Sequence, residues 1–226
     1  MKKLALFLAI LCFGLFGAQA EELQFYKHGN RNTAKIAISV DDCFDKSIVQ
    51  GFLDTAKQAN VKLTFFIIGR TLHGDDDEAQ IMALLADGHE IGNHSNNHKN
   101  MQTWSESKIA EDLQAFQTRL DKVLGFRYKP NLLRFPFGIG TTAPGLANYN
   151  SAAQKAGYQH IVYWDVVLDK PEQMLAQIQN GSIVLLHGNK KDLQVFKELL
   201  PALQEKYELC TISELLGIAP VKWDLY

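Results

Sequence analysis

The strongest constraint on this 226-residue chain is a repeated alternation of strand-like and helix-like segments. Short apolar runs of strand character are repeatedly followed by longer segments with helical spacing. Residues 35–40 read as a strand. Residues 45–59 read as a helix, with Ile48, Val49, Phe52, Leu53, Ala56 and Ala59 at apolar positions and Asn60 as its stop. Residues 61–68 form a second buried strand ended by Gly69, 78–87 a short helix closed by Gly88, and 90–92 a further strand. An amphipathic helix is expected over 105–124, with Ser105 at its start. Residues 132–135 are a strand that Pro136 stops from continuing as an interior ladder. A helix over 145–156 ends at Gly157, strands follow at 160–164 and 182–186, and a helix at 193–207 leads to a last strand at 208–212. Strand-then-helix repetition without a linker or internal repeat calls for one α/β domain built on a parallel sheet or barrel.

The first twenty residues stand outside that scheme. Lys2 and Lys3 precede an apolar run over 4–16, and Ala18-Gln19-Ala20 is a small-x-small cleavage site. This is the layout of a secretory signal peptide. The run is shorter than the roughly 20 residues a membrane-spanning helix needs. The expected division is therefore a signal over 1–20 and a single domain over 21–226, secreted or periplasmic, with no stable membrane span. Removing two lysines and no acidic residue takes the formal charge from −2 to −4, which gives no support to nucleic-acid binding. Cys12 leaves with the signal. Export permits a Cys43–Cys210 disulfide, but two cysteines make no framework, and free buried thiols are the expectation.

Polar residues fall at one place in the pattern. Asp41-Asp42, His94, Arg134 and His187 each follow or close an apolar strand-like run. In parallel α/β folds the carboxyl ends of the strands share one face, and sites assemble there. Each residue also has an ordinary explanation. His94 and His98 lie at i and i+4 and would share a face if the segment were helical, yet such pairs are common on surfaces. Asp41 or Asp42 suits the cap of the following helix. Arg134 in an apolar run suits a structural ion pair, and a lone His187 at a strand exit suits a structural role.

Taken in order, these segments carry a resemblance. Ser39-Val40-Asp41-Asp42-Cys43, His94-Ser95-Asn96-Asn97-His98, Arg134-Phe135-Pro136-Phe137-Gly138 and Ile183-Val184-Leu185-Leu186-His187 are similar to four motifs of the polysaccharide deacetylases, the NodB-homology or carbohydrate esterase four family. Thr64 to Gly69, Gly88 to Asn93 and the segment 207–216 also fit, so the likeness spans about 34–217. It implies a distorted (β/α) barrel and a divalent ion, usually zinc, on Asp42, His94 and His98. It implies Asp41 as general base, Arg134 as the group that orients it, and His187 as the acid for the leaving amine. The Phe137 backbone N–H would meet the oxyanion, with Leu185 lining the substrate position. Adjacent residues of an extended chain point to opposite sides, so Asp41 and Asp42 could divide these tasks.

Two departures follow. Cys43 replaces the family's glycine and would be strained if that position needs a positive φ; its thiol is also within chemical reason as a zinc ligand. The family's Asp-Trp segment, whose Asp tethers the acid histidine, is matched only weakly. Asp165 and Asp169 compete for the tether, Asp169 being preferred, and the usual Trp wall is then expected to be missing. The implied partner is an acetylated glycan, and the implied reaction is N-deacetylation of an amino-sugar polymer. O-deacetylation of a xylan-like polymer, or a glycan-binding module without catalysis, are the competing readings.

Overall fold

The computed structural model describes residues 22–43, 45–139, 146–168 and 170–223. The leader expected over 1–20 lies outside the described residues. The strands are β1 (Gln24–Tyr26), β2 (Lys35–Asp42), β3 (Thr64–Ile67), β4 (Glu90–Asn93), β5 (Leu132–Leu133), β6 (His160–Val162), β7 (Ile183–His187) and β8 (Glu208–Cys210). The helices are α1 (Lys46–Gln58), α2 (Asp75–Ala86), α3 (Glu106–Leu124), α4 (Leu146–Lys155), α5 (Pro171–Gln177), α6 (Lys190–Gln204) and α7 (Ile212–Leu216). Every strand ladder is parallel, in the order β1-β6-β5-β4-β3-β2-β7, with β8 added to the start of β2.

Single bridges, His28 to Ser182 and Val166 to Val184, join the two ends of this path. Side chains reinforce that thin closure. Arg31 Nη2 donates to Asp165 Oδ2 at 2.6 Å, and the same carboxylate accepts from Ser182 Oγ at 3.0 Å and Ile183 N–H at 2.7 Å. The result is the expected distorted (β/α) barrel in one domain.

Strand alternation decides what the barrel holds. Ile36, Ile38 and Val40 of β2, with Phe65 and Ile67 of β3, point outward and join the helices in the main core. There Phe52 of α1 stacks on Phe196 of α6 at 5.4 Å; each such buried side chain contributes about 1.5–3 kcal/mol. The odd residues of β2 point inward. Ala37 packs with Phe66, Leu132, Val162 and Ile183 in a small interior cluster. Ser39 and Asp41 follow on the same side of β2, both buried. The barrel is therefore apolar toward the strands' amino ends and polar toward their carboxyl ends.

Some boundaries differ from the sequence reading. The last strand stops at Cys210, because the Thr211 side chain accepts from Glu214 N–H and starts α7. α2 begins at Asp75, where four acidic residues suit a helix amino end. α6 begins at Lys190, capped by Asn189. β1 and α5 are too short to show a period and were not expected. Both cysteines of the described chain are free, as expected. No described helix is long and apolar enough to cross a membrane.

Candidate metal centre and active site

Seven of the residues singled out in the sequence line one open cavity of about 330 Å³: Asp41, Asp42, His94, His98, Phe137, Leu185 and His187. Asp42 Oδ1 lies 3.0 Å from His98 Nε2 and 3.6 Å from His94 Nε2. One ligand atom from each of these three residues falls within 4.8 Å of the others, and no other such cluster occurs among the described residues. Asp42 Oδ1 is buried and accepts no well-directed hydrogen bond, although His98 is close. His94 Nδ1 lies 2.7 Å from the Arg134 carbonyl. A carbonyl only accepts, so Nδ1 carries the proton and the Nε2 lone pair faces the carboxylates. Burial pushes the His94 pKa down, against the pull of Asp41 and Asp42, and favours the neutral ligating form. Burial pushes Asp42 up, but His98, His94 and His187 outweigh it and its pKa is lowered. Two imidazoles and an ionised carboxylate, converging within 4.8 Å of one another, fit a divalent cation such as zinc.

The local chain conformation differs from two sequence expectations. His94–His98 is not helical. Ser95 and His98 have φ of 68° and 49°, and the turn is held by polar contacts. Asn93 Oδ1 accepts from Ser95 N–H at 2.7 Å, and Ser95 Oγ from His98 N–H at 2.9 Å. Asp112 of α3 accepts from Asn96 N–H at 2.8 Å and the Asn97 amide at 2.6 Å. Asp42 also breaks the simple alternation. Its φ of 75° turns its carboxylate back, so both aspartates face the same cavity and approach His94 Nε2 to 3.6 Å. Neither caps α1; Asp45 does, accepting from Ser47 N–H at 2.9 Å.

Arg134 is wholly buried. Its Nη1 donates to Asp41 Oδ1 and to Ser39 Oγ, each at 2.7 Å, and its Nη2 and Nε donate to the carbonyls of Tyr163 and Val162 at 2.9 and 3.2 Å. The Phe66 ring lies 4.0 Å from the guanidinium carbon. Burial lowers the Arg134 pKa and Asp41 opposes that shift. The arginine thus fixes one oxygen of Asp41 and leaves Oδ2 toward the cavity. Ser39 and Phe66 lie in segments that carry the resemblance, but neither was singled out as a partner of Arg134, because both read as ordinary strand residues.

The rim of the site holds the corrections. Asp165 is engaged by Arg31, Ser182 and Ile183 and does not tether His187. Asp169 lies outside the described residues. Among the described residues the carboxylate at His187 is Asp192, whose Oδ2 accepts from His187 N–H at 2.7 Å and lies 3.1 Å from Nδ1. The available signal was an Asn189-x-x-Asp192 pair opening the helix after the histidine. Asp192 raises the His187 pKa; burial opposes this, while Asp41 and Asp42 reinforce it.

Trp164 is not missing from the wall. It lines the cavity and packs on Gly138, where an added Cβ would meet the ring at 2.8 Å. Phe137 has φ of 63°, and its exposed ring lies 4.8 Å from that of His98. Cys43 is in the left-handed region, φ 52°. Its sulfur lies 3.7 Å from the Val40 carbonyl, outside the ligand cluster, and burial with two neighbouring aspartates holds its thiol pKa well up.

A parallel barrel with an Asp-His-His cluster at the carboxyl ends of its strands is the class of fold and candidate site that the described residues define. The chain belongs to the polysaccharide deacetylase family, whose model matches residues 28–161. A peptidoglycan-N-acetylglucosamine deacetylase of Bacillus cereus is 30% identical over 201 residues, covering 82% of this chain and 89% of that protein. Other curated relatives are longer, and the chain spans about two fifths of the length of the first of them. The solved Bc1960 peptidoglycan N-acetylglucosamine deacetylase superposes with a TM-score of 0.74 at 21% identity, covering 88% of this chain and 95% of that one. BA3943 of Bacillus anthracis, described as a pseudoenzyme, superposes with 0.73 at 21%, covering 86% and 69%. Fold alone therefore does not carry the activity; the side chains must.

Proposed function

We propose that the chain is an exported, metal-dependent deacetylase that hydrolyses N-acetyl groups of an amino-sugar polymer of the peptidoglycan type. The observation that carries this reading is the pairing of two separately held carboxylates, Asp42 among the imidazoles and Asp41 on Arg134. When bound by Asp42, His94 and His98, a divalent cation, zinc by donor chemistry, supplies Lewis-acid polarisation. Asp41, oriented through Oδ1, takes a proton from the attacking water with Oδ2. The water oxygen bonds to the amide carbon, and the developing oxyanion is met by the Phe137 backbone N–H. His187 gives a proton to the nitrogen as the carbon–nitrogen bond breaks, releasing acetate and a free amine. Leu185, buried at the cavity wall, and the Trp164 ring exclude water around the acetyl group. The names of the relatives support peptidoglycan as the polymer, and the basic-apolar-small pattern of residues 1–20 supports export.

The test is acetate release by the zinc-loaded mature chain from N-acetylglucosamine oligomers, peptidoglycan and acetylated xylan. Asp41→Asn should lower turnover by about 10²–10⁴-fold, the range for a general base, while zinc stays bound. Turnover that survives either Asp41→Asn or removal of the metal by a chelator would sink the mechanism. Release from xylan alone would move the substrate to an O-acetyl ester.

A further inference from the structure

The proton donor needs its own support, and the structure places it in an unexpected part of the chain. His187 ends β7, and α6 opens three residues later. Asp192, in the first turn of α6, puts a single oxygen, Oδ2, on both the backbone N–H and Nδ1 of His187, at 2.7 and 3.1 Å. Asp192 is itself held, since its N–H donates to Asn189 Oδ1 at 2.9 Å and its side chain is only 14% exposed. The turn between them is docked on the metal-binding strand. Gly188 N–H donates to the Asp41 carbonyl at 2.8 Å, and a Cβ at Gly188 would lie 2.9 Å from the Cys43 backbone. Among the described residues, the charged groups that act on His187 are Asp192 from α6 and Asp41 and Asp42 from β2. Asp165 after β6 is engaged in closing the barrel.

We propose that Asp192 is the positioning residue for the proton donor: it holds His187 through Nδ1 and leaves Nε2 as the nitrogen that serves the cavity. The assignment rests on the deacetylase reading above. It makes the orientation of the acid a property of one strand–turn–helix unit, β7 to α6, within five residues of sequence. A carboxylate at that point also suits the amino end of a helix. A purely structural Asp192 would act only as a helix-start acceptor. The two roles separate experimentally, because a cap influences melting and a tether influences the pH dependence of turnover.

The experiment compares the zinc-loaded mature chain with Asp192→Asn and Asp192→Ala, using N-acetylglucosamine oligomers across pH. Asp192→Asn keeps an acceptor but loses the charge. It should lower kcat about 10–100-fold, with KM within about twofold and melting shifted by only a few degrees. Removing the carboxylate that raises the His187 pKa leaves the donor deprotonated sooner, so the alkaline limb of kcat should move to lower pH. Asp192→Ala should lose more activity, and Asp192→Glu should recover part of it. In parallel, ¹⁵N shifts of the His187 ring should change on Asp192→Asn if Nδ1–H is bonded there. An unchanged alkaline limb together with unchanged ring shifts would overturn the tether. A wild-type chain that releases no acetate would instead overturn the deacetylase reading, and the ring shifts would still decide the tether.

Discussion

His89 precedes β4 and His94 follows it, so one short strand separates two imidazoles of nearly equal burial, 5% and 3% exposed. Their hydrogen bonds are reversed. His89 Nδ1 accepts the Leu63 N–H at 3.0 Å, so its proton is on Nε2, which is buried without a partner in the described structure. His94 Nδ1 donates to the Arg134 carbonyl, and its Nε2 lone pair looks at two carboxylate oxygens, each 3.6 Å away. Burial lowers both pKa values, that of His89 to about 4. What sets one among carboxylates and not the other is the end of the strand it occupies. At the carboxyl end, β2 and β5 deliver Asp41, Asp42 and the Arg134 carbonyl. At the amino end His89 meets the Phe65 ring edge-on at 5.7 Å.

The sharpest way to break that contrast is a matched pair of substitutions. Asparagine can imitate the Nδ1 hydrogen bond at either position but offers nothing in place of Nε2. His94→Asn should weaken zinc binding by more than the about 10–100-fold that loss of an outer-shell partner costs, and acetate release should fall with it. His89→Asn should leave zinc affinity within about twofold. Titration calorimetry on both variants checks this, and equal losses would mean that burial rather than strand end sets the role.

Smaller in effect, but equally directional, is the pH dependence of stability. The His89 pKa is held at about 4 against an ordinary 6.5. A depressed group stabilises the fold above its unfolded pKa, and that contribution is lost as pH falls toward the folded value. Between pH 6.5 and 4 the unfolded chain takes up a proton that the native chain refuses, which costs about 3 kcal/mol in all. Neighbouring Glu90 has its pKa raised by burial and so acts in the opposite sense over the acid range. The His89 effect is therefore read as the difference between wild type and His89→Asn. Denaturant unfolding at steps through that window should show a steeper acid loss in the wild type. Parallel curves would show that His89 is protonated in the fold.

The same contrast explains what could be read from the sequence. Continuous apolar runs and helical spacing marked the order of the strands along the chain and the carboxyl-end position of Asp41, His94, Arg134 and His187, because the central strands are buried on both faces and so are apolar nearly throughout. The grouping of Asp42 with His94 and His98 was legible from spacing plus family likeness. Asp192 and Trp164 were missed or misplaced because their contacts depend on how two short connections pack. Asp165 shows the difficulty well: it reads as a tether, yet the thin barrel seam takes it for Arg31 and Ile183. The convergence of Asp41 and Asp42 was also invisible, since it rests on one backbone angle at Asp42.

Backbone angles separate the two regions once more. Of six described non-glycine residues with positive φ, Asp42, Cys43, Ser95, His98 and Phe137 belong to the site or adjoin it, and only Asn60 lies elsewhere. Strain of this kind persists where surrounding contacts over-determine the chain. Cys43 lies outside the Asp42-His94-His98 cluster, so its strain can be measured without touching those three residues. Cys43→Gly and Cys43→Ala both delete the sulfur and differ in their tolerance of φ 52°. The glycine variant should be the more stable by about 1 kcal/mol, seen as about 2–4 °C in melting temperature for a domain of this size. Zinc affinity should be the same in both, because His94, His98 and Asp42 are untouched. If the two variants melt together, the turn does not hold Cys43 in the left-handed region, and the site end of the barrel is less strained at that residue than its geometry states.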